Sequence, residues 1–153
     1  MSDYVYFYSP VGWLRLAANG EFLIKIDFTD EPGPTATDSQ ILQQAVEQLS
    51  AYFDGKRKVF SLPLDMTGTP FQKQVWAALS KIQFGQVISY GDLARAIDNP
   101  KAVRAVGQAN GRNPVPIIVP CHRVISADGT LGGYSSGLWR KKWLLEHEGV
   151  RLS

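Results

Sequence analysis

Three short apolar stretches open the chain, rich in aromatic and β-branched side chains, at residues 4–9, 13–18 and 22–28. Stretches of this length and composition are typical of β-strands, and Asn19-Gly20 between the last two is a strong signal for a hairpin turn. The pattern changes after the Pro-, Gly- and Thr-rich segment EPGPTATDS, because apolar residues then recur at helical spacing over residues 41–53. The first part of the chain is therefore predicted to be a small sheet with one helix.

Helix-capping patterns dominate the rest of the chain. The sequence TPFQ at residues 69–72 supplies a Thr for the N-cap, a Pro for the first turn and a Gln for the capping box, and SYGD at residues 89–92 repeats the arrangement. After a very short turn, Asn99 as N-cap and Pro100 as the first helical residue predict a further helix, KAVRAVGQAN. The second part of the chain is thus predicted to be mainly helical.

The last two of these helices resemble a helix-turn-helix, although chance pairs of helices have the same spacing. The second one carries very small side chains on one flank, at Ala102, Ala105 and Ala109. Its long side chains, Arg104 and Gln108, project elsewhere. Small side chains allow a helix backbone to approach a narrow surface, whereas a helix that reads bases in the major groove presents long polar ones. The alternative is that the alanines pack tightly against the first part of the chain.

Composition and charge suggest a partner and exclude some classes of protein. The 153 residues are 44% hydrophobic and 20% charged, and no segment is long and apolar enough to span a bilayer. The N-terminus lacks the basic flank and long apolar run of a signal peptide. The net charge is −4 over residues 1–66 and +6 over residues 67–153. The basic half predicts a polyanionic partner for that half alone.

The stretch VPCHRVI contains the only cysteine of the chain, Cys121, and one of its two histidines, His122. A single cysteine excludes an internal disulfide and, with two histidines, argues against a multi-ligand zinc site. A free cysteine is most often a small buried hydrophobe, but a nearby histidine can activate the thiol by taking its proton. Adjacent side chains of a strand point to opposite faces, so either the backbone turns at Cys121 or a water relays the proton.

A carboxylate that could orient the imidazole comes from the C-terminus. Leu138–His147 reads as a helix, and Glu146 and Glu148 lie at its C-terminal end, where the helix dipole disfavours a carboxylate by about 0.3–1 kcal/mol. A carboxylate placed against this rule can serve function, or it can be a solvated surface group. The second histidine, His147, competes with His122 as the partner of the cysteine, and spacing alone does not choose between them.

Together these motifs resemble the active-site region of one family. PCHRV at residues 120–124, preceded by GRNPVPIIV and followed by GGYSSGLWRKKWLLEHEG, is similar to that of the O6-alkylguanine-DNA alkyltransferases, also called methylated-DNA–protein-cysteine methyltransferases. FQKQVWAAL, ISYGDLA and NPKAVRAVGQANGRNPVPI fit the family in order and spacing, so the resemblance runs almost continuously over residues 69–150. SPVGWLRLAANG fits the family's N-terminal domain more weakly.

The resemblance implies a reaction and the residues that perform it. Cys121 would attack the alkyl carbon on O6 of guanine and keep the alkyl group, so that each molecule reacts once. His122 would relate to the cysteine through a water and would be oriented by Glu148, which removes the geometric objection. Tyr90 would help to flip the base out of the duplex, bind it and neutralise the departing guanine, while Arg104 would fill the vacancy in the stack.

Other residues take supporting roles by the same resemblance. The Ala/Gly-rich helix would lie in the minor groove without reading sequence, with DNA contacts from Ser89, Ala102, Ala105, Gly107 and Gln108. The base pocket would be lined, besides Tyr90, by Pro116, Val124, Tyr134 and Ser135. Asn113 matches a hinge asparagine that ties its segment to the neighbouring turn. Without the resemblance, the pocket residues would be interpreted as loop and core packing.

The fold that the resemblance implies is α+β. A small N-terminal β-sheet domain with a helix, ribonuclease-H-like, would span residues 1–66. A helical C-terminal domain of the winged helix-turn-helix type would span residues 67–153 and hold the active site. No cofactor is expected. No metal is expected either, because the structural zinc of some members needs cysteines and a histidine of the N-terminal domain, and neither type precedes Cys121.

The implied partner is double-stranded DNA containing O6-alkylguanine, and O4-alkylthymine is a further expected substrate. We expect a cytoplasmic monomer without membrane contact. Two alternatives stay open. An alkyltransferase-like protein would sense lesions without accepting the alkyl group, although such proteins replace the cysteine that this chain retains. A Cys-His hydrolase would turn over repeatedly and would need an oxyanion hole, which no motif marks.

Overall fold

The computed structural model describes residues 3–35 and 39–152 of the chain. Contacts divide it into two compact units, Met1–Thr67 and Gly68–Ser153, here called the N-terminal and C-terminal units. Part of the predicted EPGPTATDS loop, residues 36–38, lies outside the described residues. No described helix is both long and apolar enough to cross a membrane.

The N-terminal unit contains an antiparallel sheet in the order β1-β2-β3. Its strands are β1 (Asp3–Ser9), β2 (Gly12–Asn19) and β3 (Phe22–Thr29), and a helix, α1 (Gln40–Phe53), packs against all three. The hairpin predicted between β2 and β3 is confirmed: Asn19 pairs with Phe22, and Gly20 and Glu21 form the loop. Gly20 has φ +63, a left-handed conformation that glycine adopts without steric cost.

An apolar interface between α1 and the sheet forms the core of this unit. The alternating residues Leu14 and Leu16 of β2 are fully buried, as are Ala45 and Leu49 of α1. Burial of strand residues two positions apart and of one helix face is typical of a sheet that a helix covers on one side. Leu64, in the apolar run after α1, forms an isolated parallel bridge with Leu23 of β3, which the sequence pattern did not indicate.

The C-terminal unit is mainly helical, with one very short parallel sheet. Its elements are α2 (Pro70–Leu79), β4 (Ile88–Ser89), α3 (Tyr90–Ala96), α4 (Val103–Gly111), a single 3₁₀ turn (Cys121–Arg123), β5 (Val124–Ile125) and α5 (Leu138–His147). Both predicted capping boxes are confirmed, at Thr69 with Gln72 and at Ser89 with Asp92. The predicted bounds of α5 are confirmed as well. The α+β class is therefore confirmed.

The start of α4 was predicted wrongly. Its N-cap is Ala102 and its first residue is Val103, not Asn99 and Pro100. The Asn99 N–H donates to Ala94 O, which closes α3, and the Asn99 carbonyl accepts the Ala102 N–H in a turn that contains Pro100. Proline's fixed φ suits such a turn as well as a helix start, so the sequence signal was ambiguous. The connection between α3 and α4 is accordingly longer than the very short turn predicted.

Burial separates the small residues of α4 into two groups. Its buried face consists of Val106, Ala109 and Asn110. Ala109 belongs to the core of the unit, where its carbonyl accepts a hydrogen bond of 2.9 Å from Trp76 Nε1 of α2. Ala105, in contrast, faces solvent. Packing thus accounts for one of the small residues, whereas it leaves Ala105 unexplained.

Candidate active site

The backbone turns sharply at the Cys-His pair. Cys121 begins the 3₁₀ turn, so the regular strand in which neighbouring side chains alternate is not formed there. Asn113 holds the preceding segment: its Nδ2 donates to Val119 O over 2.7 Å and its Oδ1 accepts the Val115 N–H over 3.0 Å. These bonds hold together the two ends of the segment before Cys121, where the family resemblance implies a tie by Asn113.

His122 lies in a buried hydrogen-bond network with Glu148, the residue that caps the C-terminus of α5. The imidazole Nε2 is 2.8 Å from Glu148 Oε2, and both side chains are fully buried. Arg123 binds the same carboxylate with two nitrogens, Nε at 2.7 Å from Oε1 and Nη2 at 3.0 Å from Oε2. Its third nitrogen, Nη1, donates to Ile82 O over 2.6 Å. The carboxylate at the unfavourable helix end is therefore part of a buried network and not a solvated surface group.

The network fixes the protonation states of its members. Burial raises the pKa of Glu148, but hydrogen bonds from His122 and Arg123 and the positive charge of Arg123 outweigh burial and lower that pKa to about 2. Burial also lowers the pKa of His122, so the imidazole is neutral near pH 7. Because an ionised carboxylate only accepts hydrogen bonds, we assign the proton to Nε2. The buried Nδ1, which has no protein partner among the described residues, is left as the basic nitrogen.

A cavity of about 320 Å³ in the C-terminal unit is lined by Tyr90, Gly107, Asn110, Gly111, Cys121, Gly133, Tyr134 and Ser135. It brings together the cysteine and three residues that the sequence placed in the base pocket, Tyr90, Tyr134 and Ser135. Pro116 and Val124 are buried in the same unit but are not part of this lining. Their assignment to a pocket stays a prediction. The cavity falls in the size range of small-molecule sites.

Glycines allow the chain to approach the Tyr90 ring closely. A Cβ at Gly132, which has φ +73, would lie 2.9 Å from the Tyr90 hydroxyl oxygen, so a larger residue would displace the ring. A Cβ at Gly107 of α4 would lie 3.7 Å from the same ring. Burial raises the pKa of Tyr90, while a hydrogen bond from the Gly133 backbone lowers it. The hydroxyl is consequently protonated near neutral pH and can donate a hydrogen bond into the cavity.

The Cys121 thiol is buried among hydrogen-bond donors. Burial raises the pKa of the thiol, and three neighbours act against burial: a hydrogen bond from the Asn113 side chain, the charge of Lys141 and a hydrogen bond from Tyr134. Burial likewise raises the pKa of Tyr134 well above its ordinary value, which keeps its hydroxyl protonated. The surroundings of the sulfur are therefore arranged to receive a negative charge.

Two functional candidates were missed in the sequence, Arg123 and Lys141. Lys141 is fully buried, and its Nζ donates to Val124 O over 2.6 Å and to Gly133 O over 3.0 Å. Its burial could have been noticed, because Lys141 lies three and four residues before the buried Leu144 and Leu145 and so shares their helix face. Nothing local marks Arg123, whose partners are distant in sequence.

Three of the six residues assigned to DNA contact are exposed, and all three belong to α4. Arg104, Ala105 and Gln108 of α4 are exposed. Ala102 and Gly107 are half-buried, and Gly107 also lines the cavity. The remaining one, Ser89, caps α3, where its Oγ accepts the Asp92 N–H over 3.0 Å. The exposed face of α4 thus combines the long side chains of Arg104 and Gln108 with the small one of Ala105.

His147, the second histidine of the chain, lies outside the buried network of His122. The His147 ring stacks on Trp143 with a centroid distance of 4.9 Å and an interplanar angle of 17°. Among residues 3–35 and 39–152, no three His, Cys, Asp or Glu side chains are grouped so that they could hold a metal ion.

The chemistry that the site can perform is nucleophilic attack by a thiolate, with His122 as the base and Tyr90 as a proton donor.

Comparison with known proteins agrees with this geometry. Residues 3–66 match the family profile described as 6-O-methylguanine DNA methyltransferase, ribonuclease-like domain, and residues 70–150 match the DNA binding domain of the same description. The methylated-DNA–protein-cysteine methyltransferase of Methanosarcina acetivorans is 47% identical over 95% of this chain and 97% of its own.

Solved structures of proteins from Mycobacterium tuberculosis are similar to this chain over nearly its whole length. Its O6-methylguanine methyltransferase has a TM-score of 0.88 and 45% identity, covering 97% of this chain and 93% of that one. The M. tuberculosis protein OGT in complex with DNA has a TM-score of 0.87 and 47% identity, covering 95% of this chain and 91% of that one. With both profiles matched in order, this chain belongs to the 6-O-methylguanine DNA methyltransferase family.

Proposed function

We propose that this protein repairs DNA by removing an alkyl group from O6 of guanine and keeping it on Cys121. The observation that carries the proposal is the position of Cys121 in the wall of a cavity of about 320 Å³, next in the chain to the buried His122–Glu148 pair. Family membership supports the reaction, since a relative is named methylated-DNA–protein-cysteine methyltransferase. A relative solved in complex with DNA supports the partner.

The chemical step is a displacement at the alkyl carbon. The Cys121 proton passes through a water to Nδ1 of His122. The Nε2–H of the same ring keeps its hydrogen bond to Glu148. The thiolate then forms a bond to the alkyl carbon while the bond from that carbon to O6 breaks, and the electron pair of that bond stays with guanine. Guanine takes up the proton of the Tyr90 hydroxyl and leaves as the neutral base. The proton that His122 took from Cys121 then passes through water to the tyrosinate, so that both side chains end neutral. The product thioether has no route back to the thiol, so each molecule reacts once.

The target carbon lies inside a stacked duplex, so the nucleotide has to leave the stack first. The exposed face of α4 supports a role in this step, because Ala105 and Gly111 leave its backbone accessible while Arg104 extends from it. Such a surface fits the minor groove and carries no set of base-reading side chains. Arg104 enters the duplex and fills the space that the flipped base leaves in the stack. Tyr90 contacts that base in the cavity. Binding through phosphates should weaken with salt.

A duplex containing one O6-methylguanine tests the reaction. We expect the mass of the intact protein to rise by one methyl group, located on Cys121, with a stoichiometry of one. A protein that binds the duplex and stays unmodified would support a lesion-sensing role and refute transfer. Repeated turnover would instead support a hydrolase. The variant Cys121→Ser should lose transfer and keep binding, and retained transfer by this variant would identify another acceptor.

The role of Arg104 is tested by comparing two substrates. Arg104→Ala should slow the reaction with alkylguanine in duplex DNA by about tenfold or more, because filling the stack offsets a cost of a few kcal/mol. It should leave the reaction with free O6-benzylguanine unchanged. Lys56→Ala removes the same charge from an exposed position of the N-terminal unit and serves as the control. Equal losses for duplex and free base would exclude Arg104 from base flipping.

A further inference from the structure

Charge is distributed unevenly inside the C-terminal unit. In the described part of the chain, its buried ionic side chains are Arg123, Lys141 and Glu148. Arg123 holds Glu148 in a two-pronged ion pair, with nitrogen–oxygen distances of 2.7 and 3.0 Å, so these two charges compensate each other. Lys141 is the buried cation that remains.

The surroundings of Lys141 stabilise its ammonium only in part. Its Nζ has two carbonyl acceptors, Val124 O at 2.6 Å and Gly133 O at 3.0 Å, and it lies 5.8 Å from the centre of the Tyr90 ring. It forms no ion pair with any carboxylate of residues 3–35 and 39–152. A buried charge without a counter-charge is unfavourable, and burial lowers the pKa of Lys141 to about 8.

Cys121 is the group whose ionisation would supply the missing negative charge. Three side chains act favourably on the thiolate: Asn113 and Tyr134 as neutral hydrogen-bond donors, and Lys141 as a full positive charge. The influence is mutual, because a charged Cys121 raises the pKa of Lys141. With Cys121 as a thiolate, the buried charges of the unit sum to zero. With Cys121 as a thiol, one positive charge is left over.

We propose that Lys141 is the counter-cation of the Cys121 thiolate and so a positioning residue for alkyl transfer. The inference rests on the proposed function, because it concerns the reactivity of the same sulfur. Lys141 also joins β5 to Gly133 in the cavity wall, so its charge is held at a fixed place. His122 removes the thiol proton, and Lys141 stabilises the anion that remains. His122, Tyr90 and Tyr134 are the other titratable groups that face this pair, and each is neutral near pH 7.

The test measures the thiolate directly, by the rate at which iodoacetamide alkylates Cys121 as a function of pH. Thiolate displaces iodide, so the rate reports ionisation without any DNA substrate. Lys141→Met, which keeps length and removes charge, should raise the pKa of Cys121 by about one unit or more. At pH 7 the rate then falls about tenfold or more, while the limiting rate at high pH is unchanged.

Two further variants separate charge from packing. Lys141→Arg keeps the charge and should restore part of the rate at pH 7. Lys142→Met removes a neighbouring exposed charge and should behave as the unmodified chain does. A Lys141→Met protein that loses stability but keeps the original pH profile would show that Lys141 only packs, which would overturn the proposal.

A measurement on the unmodified chain covers the case in which Lys141→Met does not fold. Methyl methanethiosulfonate caps Cys121 as a small neutral disulfide and releases methanesulfinate. NMR titration of the lysine side chains should then show the pKa of Lys141 falling further below its starting value of about 8. An unchanged value would refute the pairing. Neither experiment uses alkylated DNA, so a failure of methyl transfer would count against the proposed function alone.

Discussion

The cores of the two units differ in what they bury. In the described part of the N-terminal unit no charged side chain is buried, and the buried polar groups are the hydroxyls of Ser9 and Tyr52. In the described part of the C-terminal unit, five non-aromatic or ionisable polar side chains are buried, of which three are ionic: Asn110, His122, Arg123, Lys141 and Glu148. Apolar burial is favourable without regard to direction, whereas a buried charge is tolerated only with matched partners. The difference indicates that the first core serves stability, and that the second carries chemistry at a cost in stability.

Breaking the ionic network should have the largest effect on folding. Glu148→Gln leaves Arg123 buried without a counter-charge, which should lower the free energy of unfolding by about 3–5 kcal/mol at pH 7. Urea denaturation followed by circular dichroism measures the loss. Glu146→Gln, on the exposed side of the same helix, is the matched control and should change little. Equal stability of the two variants would contradict the comparison between the cores.

The effect of Glu148→Gln on the free energy of unfolding should also depend on pH. The pKa of Glu148 is about 2 in the folded chain against an ordinary value of 4.5, so its ionised form favours folding. That stability is fully present above pH 4.5 and is lost as the pH falls towards 2. The difference in stability between Glu148→Gln and the unmodified chain should therefore shrink over this interval. A difference that is constant down to pH 2 would show that Glu148 is not ionised in the fold.

An apolar truncation in the N-terminal unit should have a somewhat smaller effect that does not depend on pH. Leu49 of α1 is fully buried, and Leu49→Ala removes contacts and leaves a cavity, at a cost of about 3 kcal/mol. Gln44→Ala on the exposed side of the same helix is the control. Denaturation at pH 7 and at pH 4 should give the same loss. A loss that varies with pH would indicate a buried ionisable group coupled to this core.

The contrast also explains which features could be predicted from the sequence. Local signals were sufficient for the capping boxes at Thr69 and Ser89, because capping uses residues three positions apart. They were also sufficient for α5, whose apolar residues and the following Gly149 are close together in the chain. They failed at Pro100, which suits a turn and a helix start equally. The α+β class followed from the change of hydrophobic period and from the family resemblance.

The site was harder to predict because its partners are far apart in the chain. Arg123 and Glu148 are 25 positions apart, and no period connects them. Charged residues are usually exposed, so an Arg or a Lys is assigned to the surface unless its neighbours contradict that. The resemblance identified Glu148 and left out Arg123, which binds that carboxylate, and Lys141, which binds the Val124 and Gly133 carbonyls. Long-range charge compensation is thus the part of the site that needed the fold.

The smallest effect should come from Ser9, a buried and uncharged side chain of the N-terminal unit. Ser9 Oγ donates to Gly12 O over 2.7 Å and accepts the Val11 N–H over 3.2 Å, which completes the turn between β1 and β2. Ser9→Ala removes two hydrogen bonds between uncharged groups, and the loss should be about 1 kcal/mol, independent of pH. Thermal and urea denaturation at pH 7 measure it. A loss as large as that of Glu148→Gln would mean that a neutral buried hydroxyl matters as much as a buried charge, and the two cores would then not differ in kind.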